Sequence, residues 1–431
     1  MISECIILAD SPGALVELCG ISTLERLLRT LQRCKIERAI ILSSTPEAIA
    51  EELASPSWAR AQLVVSLRAR PSGVVTIEQV VDNWPHNGAE TPLLLTVPAD
   101  CVFDPLLLRA LVAQDSPAAL IDSGVAPRIQ ALVASAPDTA RGKICGPVLL
   151  ENDWASARNG SLEQVLRSGL EDHSLPALDV SDQPLYYVSM YRKRRQFWFP
   201  APSLSNRKLA ERVLLDSIQK GPPDIPAWVH APIETFLVSL LSKTPITPNW
   251  LTLFCNVVAW TVTILLVSGH LAWGLALALI VGVLDGLDGK LARLKLEMSK
   301  VGKLEHFFDA LFENSWWLAL AWHLTVSGKL RDAFSYLALL IGAEVLNALA
   351  RTSIVRYYGK SISELGPFDR VFRLVGGRRN IYVWILVLGL MCGTPVGAFK
   401  LIAWWEAVTA AIQLARAAWA LLAVRTKSAV R

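Results

Sequence analysis

The sequence predicts an α/β domain built on a parallel sheet, followed by an all-α membrane domain of six transmembrane helices. Three observations carry this. Over 1–220 short apolar runs alternate with helix-periodic ones. Over 250–425 the apolar runs lengthen toward the roughly 20 residues that cross a bilayer. The chain of 431 residues is 52% apolar, with a mean hydropathy of +0.38, high for a soluble protein, while its charges gather in the first half and in a few loops. A net charge of +4 with no basic, aromatic-interleaved stripe points away from nucleic acid. The seven cysteines are scattered without CxxC or Cys/His spacing, which excludes a disulfide framework and a structural zinc.

In chain order, ECIILA, RAIILSS, QLVVSL, PLLLTV and AALID are brief, apolar and rich in branched residues, as buried strands are. TLERLLRTLQRC, PEAIAEELA and DPLLLRALVAQ between them have helical spacing. Such alternation implies a parallel sheet covered on both faces, with ligand loops beyond the carboxyl ends of its strands. Two loops qualify: ADSPGA after the first strand and PADCVFD after TPLLLTV. The order of IILAD, TLERLLRTLQRCKIERAIIL and LLLTVPADCVFDPLLLRALV resembles the sugar-nucleotide and polyol-phosphate nucleotidyltransferases. The resemblance places Asp100 at that family's metal-binding aspartate; by itself Asp100 is equally a turn residue ahead of a helix. The first loop departs from the family. ADSPGALVELCG has one central glycine and no basic residue before Arg26, so a triphosphate finds few charge-assisted donors there. Residues 1–192 therefore read as a degenerate, inactive relative.

Residues 193–246 form a junction. KRRQFWFPAPS is basic and aromatic, GPPDIP breaks helices, and PIETFLVSLLSKTPITPN is an amphipathic segment suited to the membrane surface. Over 247–425 the expected spans are 250–268, 271–287, 305–326, 333–350, 380–398 and 400–423. Basic residues crowd the connections after spans two, four and six, including Arg293, Lys300, Lys303 and Arg425. The opposite connections hold only Lys329 and Arg331. The positive-inside rule puts both termini in the cytoplasm of a multi-pass inner-membrane protein, in keeping with a start, MISECIILAD, that lacks signal-peptide features.

Carboxylates are costly at membrane depth and mark function there. Asp285 and Asp288 lie one turn apart with Gly289 and Ala292 on the same face. Glu305, Asp309 and Glu313 form an i, i+4 ladder on the next helix. Packed antiparallel, the two acidic faces would repel unless cations sat between them, and all-oxygen ligands suit Mg²⁺, Mn²⁺ or Ca²⁺. A proton relay and an ion pair with Arg293 are the alternatives.

The run DGLDGKLARLKLEMSKVG, with Asp285, Asp288, Gly289, Ala292, Arg293 and Gly302, resembles the first part of the CDP-alcohol phosphotransferase signature at every fixed position. TPNWLT, Thr247 to Thr252, resembles that family's start of span one. After Gly302 the chain departs. The third and fourth aspartates of the signature would fall at His306 and Ala310, whereas Glu305 and Asp309 keep the spacing one position early; pairing Asp309 with Glu313 is the alternative register. The resemblance implies that Asp285, Asp288, Glu305 and Asp309 bind Mg²⁺ or Mn²⁺ holding the diphosphate of a CDP-alcohol donor. It implies that Gly289, Ala292, Arg293 and Gly302 shape the CDP pocket, and that Asp309 is the general base toward an acceptor hydroxyl on a lipid or polyol phosphate. It also implies a homodimer in the lipid bilayer. Arg351, Arg356, Arg378 and Arg379 are placed to hold an anionic acceptor group, or else to anchor the cytoplasmic side. Glu344, Asn347 and Glu406 serve either packing hydrogen bonds or substrate contact. The layout resembles enzymes that fuse a cytidylyltransferase making CDP-inositol to the membrane synthase that uses it. A cation-coupled transporter and a non-catalytic scaffold are the competing classes; no internal repeat supports the first.

Overall fold

The short branched runs do form one sheet. The structure is a computed structural model describing residues 2–10, 12–55, 60, 62–85, 93–187, 192–221, 224–297 and 302–429, with the side chains of 186–187, 302–306 and 423–429 outside that description. Two units make up the chain: 1–220 with 242–244 and 292–298, and 221–241 with 245–291 and 299–431.

In the first unit the strands are β1 (Glu4–Leu8), β2 (Arg38–Ser43), β3 (Val64–Ala69), β4 (Leu93–Pro98), β5 (Ala118–Asp122), β6 (Gly142–Glu151) and β7 (Ala177–Asp179). Their order is β7-β5-β6-β4-β1-β2-β3. β1 pairs in parallel with β2 and β4, β2 with β3, and β7 with β5. The exception is β6, antiparallel to both β4 and β5. Parallel neighbours need a long crossover, usually a helix; between β5 and β6 only the 3₁₀ turn Pro127–Ile129 and the short strand Asp138–Thr139 intervene, so the chain returns in the opposite sense.

Helices α1 (Thr23–Arg33), α2 (Pro46–Ala54), α3 (Ile77–Asp82), α4 (Pro105–Val112), α5 (Asn152–Ser156), α6 (Leu162–Glu171) and α7 (Arg207–Ile218) complete this unit. Ser22 caps α1, its Oγ accepting from the Glu25 N–H at 3.0 Å, as a favoured N-cap residue does. Leu24, Leu27, Leu28 and Leu31 bury one face of α1. Its arginines reach the segment that follows residue 291: Arg26 donates to Leu294 O (2.7 Å), Arg29 to Lys295 O (2.6 Å) and Arg33 to Glu297 O (2.9 Å). Burial lowers the Arg26 guanidinium to about 10.

The second unit is helical: α8 (Pro226–Leu241), α9 (Pro248–Val267), α10 (Leu271–Leu294), α11 (Gly302–Val326), α12 (Ala333–Tyr358), α13 (Pro367–Val375), α14 (Arg379–Met391) and α15 (Pro395–Ala429). Pro248 opens α9 at a first-turn position, where its missing N–H costs nothing. Trp316, Trp317, Phe312 and Phe399 lie at the centre of the core, and the Trp316 indole donates to Ala259 O at 2.8 Å, tying α11 to α9. Among the described residues α9, α10 and α12 are long and apolar enough to cross a membrane, and α13 with α14, bent by 42°, makes up to a fourth span. The expected six are thus three or four by that measure. Helices α11 and α15 exist over their expected stretches, but Asp309, Glu313, Asn314 and His323 dilute the first, as Glu406, Gln413 and Arg416 do the second.

Helix α8 begins six residues before the segment expected to be amphipathic and ends at Leu241. Trp228, Val229, Ile233, Phe236 and Leu240 are exposed, while His230 and Glu234 are buried. Glycines on α10 let the polar face in: a Cβ at Gly286 would come within 2.6 Å of the Glu234 carboxyl, and one at Gly282 within 3.0 Å of His230. Glu234 then pairs with buried Lys290 at 2.8 Å.

Candidate active site

The acids of the second unit converge on one cavity of about 500 Å³, reached by Asp224, Asp285, Asp309, Glu313, Glu344 and Glu406. Arg351, Arg378 and Arg379 line it too, and Leu340 is its one aliphatic side chain. α10 supplies Asp285, α11 supplies Asp309 and Glu313 one turn apart, and α12 supplies Glu344, Asn347 and Arg351 at helical spacings of three and four. The segment Gly377–Arg379, at the bend before α14, brings two of the three arginines.

Arg379 donates to Asp285 Oδ2 at 2.6 Å, and its guanidinium lies 5.3 Å from the centre of the Phe312 ring. Asp288 is buried. It accepts from Thr252 Oγ1 at 2.5 Å and from the Gly289 N–H at 2.5 Å. Thr252 is the last residue of TPNWLT, so that stretch fixes the rotamer of an acid 36 positions away. Asp224, which caps α8 through the Ala227 N–H at 3.0 Å, also accepts from Asn380 at 3.4 Å.

Deeper in the helices, Asn347 and Glu406 are both buried. Asn347 Nδ2 donates to Glu406 Oε1 at 3.0 Å, and the Tyr382 hydroxyl donates to Glu406 Oε2. Gly377 donates its N–H to Thr409 Oγ1 at 2.9 Å. A Cβ on Gly377 would collide with the Glu406 carboxylate and the Tyr382 hydroxyl, so only glycine fits there.

Of the expected site residues, the cavity gathers Asp285, Asp309, Arg351, Arg378 and Arg379. Asp288 stands one turn along α10 and Gly289 next to it. Arg356 is exposed and is not among the cavity's lining residues. Ala292 and Arg293 fall in the first unit, where Arg293 Nε donates to Ile218 O at 3.0 Å. The Glu305 side chain and the surroundings of Gly302 lie outside the described residues, as do the side chains of Lys303 and Arg425 and the whole of Lys300. The donors are the hard oxygens that magnesium or manganese takes. Among the described residues, however, no three His, Cys, Asp or Glu side chains meet closely enough to hold an ion; Asp285 faces a guanidinium and Asp288 a hydroxyl. The sequence did not single out Thr252, Tyr382, Glu234 or Lys290 for a role. Of these only Thr252 carried a signal, through TPNWLT.

In the first unit a cavity of about 700 Å³ lies against the two loops expected to bind ligand, reached by Pro12, Gly13, Val16 and Asp100. Asp100 is the one charged residue among those that line it. The nearby basic side chains are engaged elsewhere: Arg70 with Asp10, Arg26 with Leu18 O and Leu294 O.

Residues 245–419 match the family model of the CDP-alcohol phosphatidyltransferases, the family that DGLDGKLARLKLEMSKVG resembles. The chain is 32% identical over 158 residues to a bifunctional IPC transferase and DIPP synthase from Rubrobacter xylanophilus, covering 37% of this chain and 34% of that one. It is 28% identical over 237 residues to the protein of the same name from Archaeoglobus fulgidus, covering 53% and 45%. The chain thus spans less than half the length of these curated relatives. Among solved structures, the inositol-1-phosphate CTP transferase of T. maritima aligns with a TM-score of 0.35 at 12% identity, over 49% of this chain and 96% of that one. A UDP-glucose pyrophosphorylase complexed with UDP-glucose aligns with a TM-score of 0.38 at 9% identity, over 50% and 100%.

Proposed function

Because residues 245–419 carry a CDP-alcohol phosphatidyltransferase domain, we propose that the protein is an integral membrane phosphotransferase. It moves a phospho-alcohol group from a CDP-alcohol to the hydroxyl of an acceptor, a polyol phosphate or a lipid, and releases CMP. The observation that most supports this reading is the meeting of Asp285 and Asp309 with Arg351, Arg378 and Arg379 in one cavity of that domain. Arginines neutralise phosphate charge and fix its orientation through paired N–H donors. On this reading the acceptor oxygen attacks the β-phosphorus in line, the new P–O bond forms as the anhydride bond breaks, and CMP departs with the electron pair. Asp309, half-buried in the cavity, takes the hydroxyl proton. Arg351 and Arg378 hold the acceptor's anionic group, and Arg379 keeps Asp285 oriented.

Asp285, Asp288, Glu305 and Asp309 would hold Mg²⁺ or Mn²⁺. A bound ion of that kind neutralises the diphosphate and the leaving group. Thr252 holds the Asp288 carboxylate through its 2.5 Å hydrogen bond. The first unit contributes no nucleotidyl transfer on this reading, since among the described residues the cavity at its ligand loops is lined by no basic side chain.

The test is CMP release by the full chain in lipid nanodiscs, given CDP-inositol or CDP-diacylglycerol, Mg²⁺ or Mn²⁺, and a panel of acceptors. Asp288→Asn should lower the rate by at least 10³-fold, roughly the loss on removing a key transition-state group. It should also weaken Mn²⁺ binding measured by electron paramagnetic resonance. Full activity in that variant would remove Asp288 from the site. Pyrophosphate release from CTP and inositol 1-phosphate should stay at background.

A further inference from the structure

Helix α10 ends in a way its sequence does not favour. The Glu297 N–H bonds to Ala292 O at 2.9 Å and the Leu296 N–H to Arg293 O at 3.4 Å, with Leu296 at φ 54°. Two such bonds around a left-handed residue make the helix stop that is usually built on glycine, sometimes on asparagine. Here the residue is a leucine, 7% exposed, and a Cβ disfavours that conformation by about 5- to 30-fold. Backbone of this kind persists only where its surroundings impose it.

The surroundings are supplied by α1. The stop satisfies the carbonyls of Ala292 and Arg293 and leaves the next ones, which every helix end must provide for. Arg26 takes Leu294 O, Arg29 takes Lys295 O and Arg33 takes Glu297 O. Cations are also the charges that a helix C-terminus favours. Two more donors hold the same stretch: Arg293 Nε reaches Ile218 O at 3.0 Å, and Lys295 Nζ reaches Thr244 O at 2.9 Å. All of these groups belong to the first unit. Arg26, the first basic residue after the start of ADSPGALVELCG, also donates to Leu18 O of that loop at 3.0 Å. It thereby ties the loop to the end of α10.

We propose that α1 is a clamp on the end of α10, and that Arg26, Arg29 and Arg33 are positioning residues for phosphotransfer. α10 runs unbroken from Leu271 to Leu294 and carries Asp285 and Asp288. Fixing where such a helix stops fixes its rotation, and a slip of one residue turns every side chain by about 100°. The assignment rests on the phosphotransfer reading above and gives the first unit a part in the reaction that needs no nucleotidyl transfer. It acts on the donor, whose diphosphate the α10 acids serve. The acceptor's arginines, Arg351 and Arg378, stand on other elements.

The experiment uses the full chain in nanodiscs, with CDP-inositol and CDP-diacylglycerol as donors and CMP release as the readout. Arg29→Gln with Arg33→Gln should raise the donor KM by roughly 10- to 150-fold, the ratio equivalent to one hydrogen bond from a charged group. The acceptor KM should not move. Amide hydrogen exchange over 292–297 should quicken in the same variant. Leu296→Gly accepts the left-handed turn without help, and Leu296→Ala controls for the lost side chain. The paired arginine change should therefore cost about 5-fold less, or better, beside Leu296→Gly than beside Leu296→Ala. A purely structural contact would cost the same in both. Should the double variant fail to fold, Arg33→Ala, at a half-buried position, supports the same comparison. Equal losses in the two backgrounds, a shift in acceptor KM in place of donor KM, or unaltered exchange would overturn the clamp while leaving phosphotransfer standing. No CMP release by the unsubstituted chain with any pair would overturn both.

Discussion

A single hydroxyl, that of Thr252, holds the Asp288 carboxylate. By accepting from Thr252 at 2.5 Å the carboxylate is held in one rotamer inside a buried site, where a neutral asparagine would present an N–H to the same hydroxyl. Gly377 works by absence of a side chain. With Glu406 and Tyr382 pressed against its Cα, Gly377→Ala forces either the carboxylate or the phenol aside, a crowding that costs about 1–3 kcal/mol. Because the displaced groups line the cavity, the variant should lose thermal stability and turnover together, read by unfolding in detergent and by CMP release. The acids on α10 were legible from sequence because carboxylates in an apolar run stand out. Tyr382 was not, since a tyrosine in a membrane helix is unremarkable until its partner, 24 residues on, is known.

Among the elements, α8 is the one whose direction of packing the sequence left open. Its amphipathic pattern was plain, yet pattern alone does not say which face meets protein. The glycines at 282 and 286 decide it by admitting His230 and Glu234. Lys290, 3% exposed, pairs with Glu234 at 2.8 Å and donates to Ala231 O and Thr235 Oγ1 at 3.3 and 3.4 Å. Glu234→Ala should destabilise the protein by about 3–5 kcal/mol, the cost of removing one partner of a buried ion pair. The double change Glu234→Leu with Lys290→Met should restore most of it, as measured by denaturation midpoints. In the sheet, β6 escaped notice for a different reason. KICGPVLLE carries Gly146 and Pro147 at its centre, a pair that signals a turn. The structure absorbs them as a shift in register between Ile144 and Val148.

On the scale of the whole molecule, the asymmetry between a charged first half and an apolar second was enough to foresee one α/β unit and one membrane unit. The number of spans was harder, because a helix that carries acids forfeits the apolarity by which spans are counted. The positive-inside rule predicts an orientation with both termini in the cytoplasm, and Cys392 offers a direct check. It is the one exposed cysteine among the seven; the other six are buried, and burial holds the Cys19 and Cys34 thiols up to about 11, protonated and unreactive at pH 8. If that orientation holds, Cys392, which follows α14, faces away from the cytoplasm, and a membrane-impermeant maleimide should label intact cells at this position. Cys392→Ser should abolish the signal. Labelling only in inverted vesicles would reverse the orientation.

The reach of Arg26, Arg29 and Arg33 to carbonyls at 294–297 has a consequence for biosynthesis. A ribosome that has released residue 220 has made the whole sheet, but not the acceptors that three α1 arginines require. Those come only after α9 and α10 have been synthesised, several seconds later at about 5–20 residues per second. The first unit therefore reaches its final form only once α9 and α10 have been made, and synthesis of these apolar helices becomes a step in its maturation rather than an event that follows it.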